Sequence, residues 1–97
     1  QKKRFRKLAH HLKPVVTVSE SGISPGVMAE LDRALEDHEL IKVRIHALER
    51  ADRRAIIESL CQQTGAETAQ VIGKVAVLYR PARKPKPRLS NLIRPSS

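Results

Sequence analysis

The sequence predicts an α/β fold: a compact α-β-α-β-α-β-β domain with a mixed four-stranded sheet. Three observations carry that reading. Apolar residues recur at helical spacing in three segments, and β-branched or alternating runs lie between them. A Gly73-Lys74 pair then separates two short apolar runs, as a tight hairpin turn does. Strands alternating with helices argue for some parallel pairing, and a terminal hairpin is antiparallel, so the sheet is mixed. A chain of 97 residues makes about one small domain, and its 40% hydrophobic content is enough for one modest core.

The first helix is expected from Phe5, Leu8, Ala9 and Leu12, which form one apolar stripe. Pro14 ends it, because the residue before proline avoids helical backbone. Val15-Val16-Thr17-Val18 is short and β-branched and reads as a buried strand. After a turn at Ser19–Gly22, Ser24 is a candidate N-cap and Pro25 suits the first helical position. Val27, Leu31, Ala34, Leu35 and His38 give that second helix its apolar face. Leu40 to Ala47 alternates, with Ile41, Val43 and Ile45 on one side and Lys42, Arg44 and His46 on the other. Asp52 through Thr64 reads as a third helix, with Ile56, Ile57, Leu60 and Cys61 inward and Gly65 as its stop. Thr68 to Ile72 and Val75 to Tyr79 form the closing hairpin.

Charge placement divides the chain further. Lys2, Lys3, Arg4, Arg6, Lys7 and Lys13 give the first thirteen residues six basic groups and no acid. Residues 80–97 hold another six, Arg80, Arg83, Lys84, Lys86, Arg88 and Arg94, again with no acid. The stretch between has seven basic and ten acidic residues, within a net charge of +9. The body is therefore mildly acidic and the ends are basic, which points to a polyanionic partner. Four prolines interrupt residues 81–97, so residues 1–80 are expected to form the domain and 81–97 a basic, largely disordered tail. Leu89, Leu92 and Ile93 are candidates for a short docking turn within that tail.

Catalytic chemistry finds no support. His10 and His11 are adjacent in a helix and diverge, His38 and His46 fall in separate elements, and no Cys/His spacing suits zinc. Glu30, Asp32, Glu36, Asp37 and Glu39 crowd one helix and its end, where a solvated acidic face is the ordinary reading. No phosphate-binding loop, dinucleotide fingerprint or nucleophile elbow occurs. The expectation is a non-enzymatic protein with no cofactor, no metal and no small-molecule substrate. Cys61 lies in an apolar helical pattern and reads as a structural thiol. No apolar stretch approaches a membrane span, and no apolar segment follows the basic N-terminus as in a signal peptide. A cytoplasmic, monomeric protein is expected.

Nucleic acid suits these features physically. Phosphate contacts need Lys and Arg on surfaces that can converge. The first helix supplies Lys3, Arg4 and Lys7, with Lys13 just beyond. The alternating strand supplies Lys42 and Arg44, the hairpin Lys74, and the C-terminal region Arg80, Arg83 and Lys84. The Ser19-Glu20-Ser21-Gly22 loop precedes a helix N-terminus, where backbone donors favour an anion. Phe5 and Tyr79 are the only aromatic residues, which favours recognition of RNA shape and backbone over base stacking. The competing expectation is an adaptor whose basic helix and tail bind an acidic protein or an anionic membrane surface.

The residues also resemble a known family. Arg6-Lys7-Leu8-Ala9-His10-His11-Leu12-Lys13-Pro14-Val15-Val16 looks like the opening of the CRM domain (chloroplast RNA splicing and ribosome maturation), whose stand-alone bacterial members are the YhbY-like proteins. Ala34-Leu35-Glu36-Asp37-His38-Glu39-Leu40-Ile41-Lys42-Val43-Arg44 is similar to its most recognisable stretch. Thr64-Gly65-Ala66, Val71-Ile72-Gly73-Lys74 and Val75 to Pro81 resemble its end. The resemblance covers roughly residues 3 to 81. It implies a fold like the C-terminal domain of translation initiation factor three. It also implies RNA as partner, specifically precursor ribosomal RNA or a large-subunit precursor particle during ribosome assembly. The family's GxxG RNA-binding loop maps onto Ser19-Glu20-Ser21-Gly22. Here Ser19 replaces the first glycine, and Glu20 stands where the family often has lysine. Binding is therefore expected to lean on the first helix, Lys42, Arg44 and the tail, and Glu20→Lys is expected to tighten it.

Overall fold

The computed structural model describes residues 2–19 and 21–92. Its elements are α1 (Lys2–Ala9), β1 (Pro14–Val18), α2 (Pro25–His38), β2 (Leu40–Ile45), α3 (Arg50–Thr64), β3 (Glu67–Ile72) and β4 (Val75–Tyr79). The four strands form one sheet in the order β1-β2-β4-β3. β1 runs parallel to β2, and the other two pairings are antiparallel. This is the expected α-β-α-β-α-β-β order with a mixed sheet.

Alternation in β2 divides the sheet into two unlike faces. Ile41, Val43 and Ile45, with Val16 and Val18 of β1 and Ala76 and Leu78 of β4, point toward α2 and α3. Leu31, Leu35, Ile57 and Leu60 close that side, and each is essentially buried. A truncation such as Leu35→Ala there costs about 2–5 kcal/mol, because a lost side chain leaves a cavity as well as lost transfer energy. On the other face, α1 lays only Phe5 and Ala9 over Leu40 and Val77, with Leu8, Leu12, Ala69, Tyr79 and Leu92 packed around them. Lys42 and Arg44 share that second face and lie beyond the cover of this smaller cluster.

The helix ends follow local chemistry. Ser24 Oγ accepts from the Val27 amide at 3.1 Å, and Pro25 opens α2. Gly65 ends α3 at φ 77°, a left-handed cap that glycine adopts without a steric penalty. Gly73 at φ 55° makes the hairpin turn between β3 and β4.

Several boundaries differ from the sequence reading. α1 stops at Ala9, and the chain reaches Leu12 through a turn in which the Leu12 amide donates to Ala9 at 2.9 Å. β1 is an edge strand, with Val16 and Val18 buried on one face and its other face open. Val15 is 46% exposed because it alternates with Val16 on the open face of this edge strand, beside a register shift between Pro14 and Val16. β2 ends at Ile45, short of Ala47, and α3 begins two residues before Asp52. There the Arg53 guanidinium donates to the carbonyls of Ala47 and Leu48, both at 2.7 Å, which anchors the connecting loop. Cys61 is half-buried, with its sulfur 3.3 Å from Thr68 Oγ1.

Residues 81–92, the described part of the basic tail, lie along the acidic surface of α2. Glu36 accepts the backbone amides of Arg83 at 3.1 Å and Lys84 at 3.0 Å. Glu39 accepts from the Ala82 amide at 2.8 Å and from Ser90 Oγ at 2.7 Å. His38 Nδ1 donates to the Leu89 carbonyl at 2.9 Å, and Asn91 bonds Leu40 and His38. Proline does not prevent this, because the segment needs no internal ladder: its amides bond carboxylates instead. Within the docking turn foreseen there, Leu92 joins the α1 cluster and Leu89 stays 38% exposed. Ile93 lies outside the described residues.

Candidate nucleic-acid interface

The second face of the sheet and α1 together form a groove of about 420 Å³. α1 builds one wall with Arg6, Ala9 and His10. The sheet builds the floor: Lys42 and Arg44 from β2, Val75 and Val77 from β4, Gln70 and Ile72 from β3. Register brings the floor together, since Lys42 pairs with Val77, Arg44 with Val75, Gln70 with Val77 and Ile72 with Val75. Each pair directs its side chains to the same face.

The electrostatics of this face are one-sided. The ion pairs of Arg33, Arg80 and Lys86 all have their acids on α2, on the other side of the sheet. Arg6, Lys42 and Arg44 therefore meet no carboxylate partner among the described residues, and Lys3, Lys7 and Lys13 are exposed outside the groove lining. The one phenylalanine and the one tyrosine are already engaged here: Phe5 and Tyr79 pack with ring centroids 4.4 Å apart. They fasten α1 to the sheet.

Other sequence-predicted residues fall at one end of the same sheet. Val18 pairs with Ile45, and the Ile45 amide donates to the Lys74 carbonyl, so the loop after β1 and the hairpin turn flank the Arg44 end of β2. In that loop Ser19 and Ser21 join hydroxyls at 2.6 Å, and Gly22 sits at φ 97° with its amide bonded to the Ser19 carbonyl. Glu20 lies outside the described residues.

The C-terminal cations are placed elsewhere. Arg80 Nη1 donates to Asp32 at 2.6 Å and to the Thr64 carbonyl at 3.1 Å, while Nη2 reaches the Asp32 carbonyl at 3.1 Å and lies 3.8 Å from Glu36. Its side chain is only 16% exposed, so it ties β4 to α2 and α3 and is not available to phosphate. Lys86 pairs with Asp37 at 2.8 Å. Arg83 and Lys84 have exposed side chains, but their backbone is pinned over α2, across the sheet from the groove. Arg4 stands between the regions, with Nη2 3.4 Å from the Leu92 carbonyl.

This docking changes the acids. Amide donors from Lys84 and Arg83 hold the Glu36 carboxyl below its ordinary range. The Lys86 ammonium does the same for Asp37. Of the acidic face expected for α2, Glu36 and Asp37 are thus partly covered and Glu39 is buried, while Glu30 and Asp32 stay exposed.

Two features escaped the sequence. Gln70 reaches the groove floor because the register shifts between Thr68 and Gln70. Strict alternation would put Thr68 beside Gln70, yet Thr68 faces Cys61 on the opposite side. The second is a cleft of about 450 Å³ between α3 and the hairpin, where Arg50, Arg53 and Arg54 gather with Glu58. Arg53 is already bonded to loop carbonyls and Glu58 offsets part of the charge, so this cleft is the weaker anion site. Among the described residues no group of three or more His, Cys, Asp or Glu side chains is placed to hold a metal, and no helix is long and apolar enough to cross a membrane.

Comparison with known proteins gives one consistent result. The family model described as the CRS1/YhbY (CRM) domain matches residues 1–80. A Pseudomonas aeruginosa protein named "Probable RNA-binding protein" is 53% identical over 94 residues, covering 97% of this chain and 90% of that one. An "RNA-binding protein" of Haemophilus influenzae is 43% identical over 89 residues, covering 92% and 90%. The solution structure of a Staphylococcus aureus protein, described as a candidate RNA-binding protein, superposes with a TM-score of 0.77 at 34% identity, covering 87% of this chain and 88% of its own.

Proposed function

We propose a function on one premise: this chain belongs to the CRS1/YhbY (CRM) domain family of RNA-binding proteins. It is a binding protein and not an enzyme. Its partner is folded RNA, recognised by backbone and shape, and the RNA is a precursor of the large ribosomal subunit. Lys3, Lys7, Lys13, Lys42, Arg44 and Lys74 are the phosphate contacts, with Ser19, Ser21 and Gly22 at the margin.

One observation carries this reading. The cations of α1 and β2 converge on a face with no carboxylate partner among the described residues, so their charge is available to a polyanion. Preference for folded RNA is supported by the engagement of Phe5 and Tyr79 with each other, which leaves no Phe, Tyr or Trp platform for successive bases of a single strand. An adaptor for acidic proteins or membranes would draw on the basic tail, whose described part is bound to α2 through the Lys84 amide and the Lys86 ammonium.

The test is affinity for a folded fragment of large-subunit ribosomal RNA and for an unstructured strand of equal length, across a salt series. Tighter binding to the folded fragment with a steep salt slope is the expected result. Equal, weak binding to both would reduce the protein to a generic polyanion binder and remove the ribosomal assignment.

A further inference from the structure

We propose that the groove between α1 and the sheet receives one unpaired nucleotide of the bound RNA, its base on the aliphatic floor and its phosphate against the surrounding cations. This deepens the RNA-binding reading above and rests on it.

A surface that only neutralised phosphates would need cations and nothing else. This groove has more. Its size, about 420 Å³, lies within the roughly 300–1,000 Å³ of sites that enclose small ligands. Its floor is apolar where the cations are not: Val75 and Val77 line it, and Ile72 beside them is 64% exposed. Aliphatic surface left open to water inside a ring of charge is stabilised when a flat, weakly polar group covers it. A nucleobase is such a group.

The polar groups are placed to match. Gln70 is half-buried on the floor, and its side-chain amide makes no hydrogen bond among the described residues. That amide carries both a donor and an acceptor, as the edge of every base does. Arg6 on the helix wall and Arg44 on the sheet offer guanidinium planes, which stack on bases where aromatic rings are not available. Phe5 and Tyr79 are not available, since they pack on each other. Lys42 completes the site as a phosphate partner. Continuous duplex keeps its bases stacked inside, so the nucleotide must come from a bulge, loop or end of the folded RNA.

The experiment is an NMR titration of the isotope-labelled full chain with adenosine 5′-monophosphate, with ribose 5-phosphate as the base-free control. Folded ribosomal RNA is titrated in parallel. The nucleotide is expected to shift the methyl signals of Ile72, Val75 and Val77 and the side-chain amide of Gln70, and to bind about fivefold or more tighter than ribose 5-phosphate. Gln70→Leu is expected to weaken nucleotide binding about two- to tenfold, the range for one lost hydrogen bond. It leaves the salt slope for folded RNA unchanged, because no cation is removed. Equal binding of ribose 5-phosphate, or nucleotide shifts confined to the Arg50 and Arg54 cleft, would overturn the proposal. If folded RNA binds with a steep salt slope while the nucleotide leaves the groove signals in place, only the nucleotide site falls. If folded RNA does not bind, the broader reading falls and this one with it.

Discussion

The two ends of the chain carry six basic residues each and no acid, yet the fold uses them oppositely. The N-terminal set lies on the side of the sheet that carries Lys42 and Arg44, where the single strand acid, Glu67 beside Tyr79, sits at the opposite end from Arg44 and forms no ion pair with them among the described residues. Of the C-terminal set, Arg80 and Lys86 pair with carboxylates of α2, and the backbone of Arg83 and Lys84 bonds Glu36. The same charge is thus open to an external partner in one place and serves internal cohesion in the other. What separates them is the location of the acids. α2 carries Asp32, Glu36 and Asp37 and ends at Glu39, whereas α1 carries none.

Glu39 is the pivot of the cohesive region. It is a buried carboxylate at φ 63°, a conformation that costs a non-glycine residue about 1–3 kcal/mol unless its surroundings hold it. Its two tail hydrogen bonds and the Arg80 amide on its carbonyl at 2.9 Å supply that hold. A residue that looks like one more surface acid is therefore the anchor of the C-terminal segment.

Charge reversal offers the strongest way to break the comparison. Lys42→Glu with Arg44→Glu is expected to weaken binding of folded ribosomal RNA about a hundredfold at low salt and to flatten the salt slope by about two, while the melting temperature stays within a few degrees. Filter binding and a thermal scan on the same preparation decide it. An equal loss from Lys86→Glu would erase the distinction between the two regions.

Glu39→Ala comes next. Losing a buried, doubly bonded carboxylate should cost about 2–3 kcal/mol in a denaturant titration, or roughly 10 °C for a domain of this size. RNA affinity should hold. A variant as stable as the parent would mean that the tail is not anchored there.

Acid sharpens the contrast further. Glu36 and Asp37 are held below their ordinary values when the tail is docked, so docking binds fewer protons than release. Their contribution is complete above the ordinary carboxylate range and is lost as pH falls through the lowered values. Amide exchange of residues 82–91 should therefore accelerate at acid pH before that of the sheet does. Tail and sheet amides that respond together would show one cooperative unit. The smallest effect is expected of Lys86→Ala, whose exposed ion pair should barely move the melting point.

Much of this was legible because the signals are local. Ser24 and Pro25 announce the start of α2, and Gly65 and Gly73 mark a helix end and a hairpin. Lys42 and Arg44 were readable as a basic face because β2 alternates without interruption. Gln70 was not, since the shift before it breaks the alternation of β3. The partners of Arg80 and Lys84 were not legible for a different reason: they lie 48 residues away in the chain, on a helix whose acids look solvated when read alone.

The sequence by itself determined the order and type of the elements and the identity of the basic strand face, because spacings of two and of three to four residues decide which side chains share a surface. Only the tertiary structure decided which cations are free. A cation becomes an external binding group or an internal strut according to the carboxylates within a few ångströms of it. Chain reversal and strand register set those distances, and residue type does not.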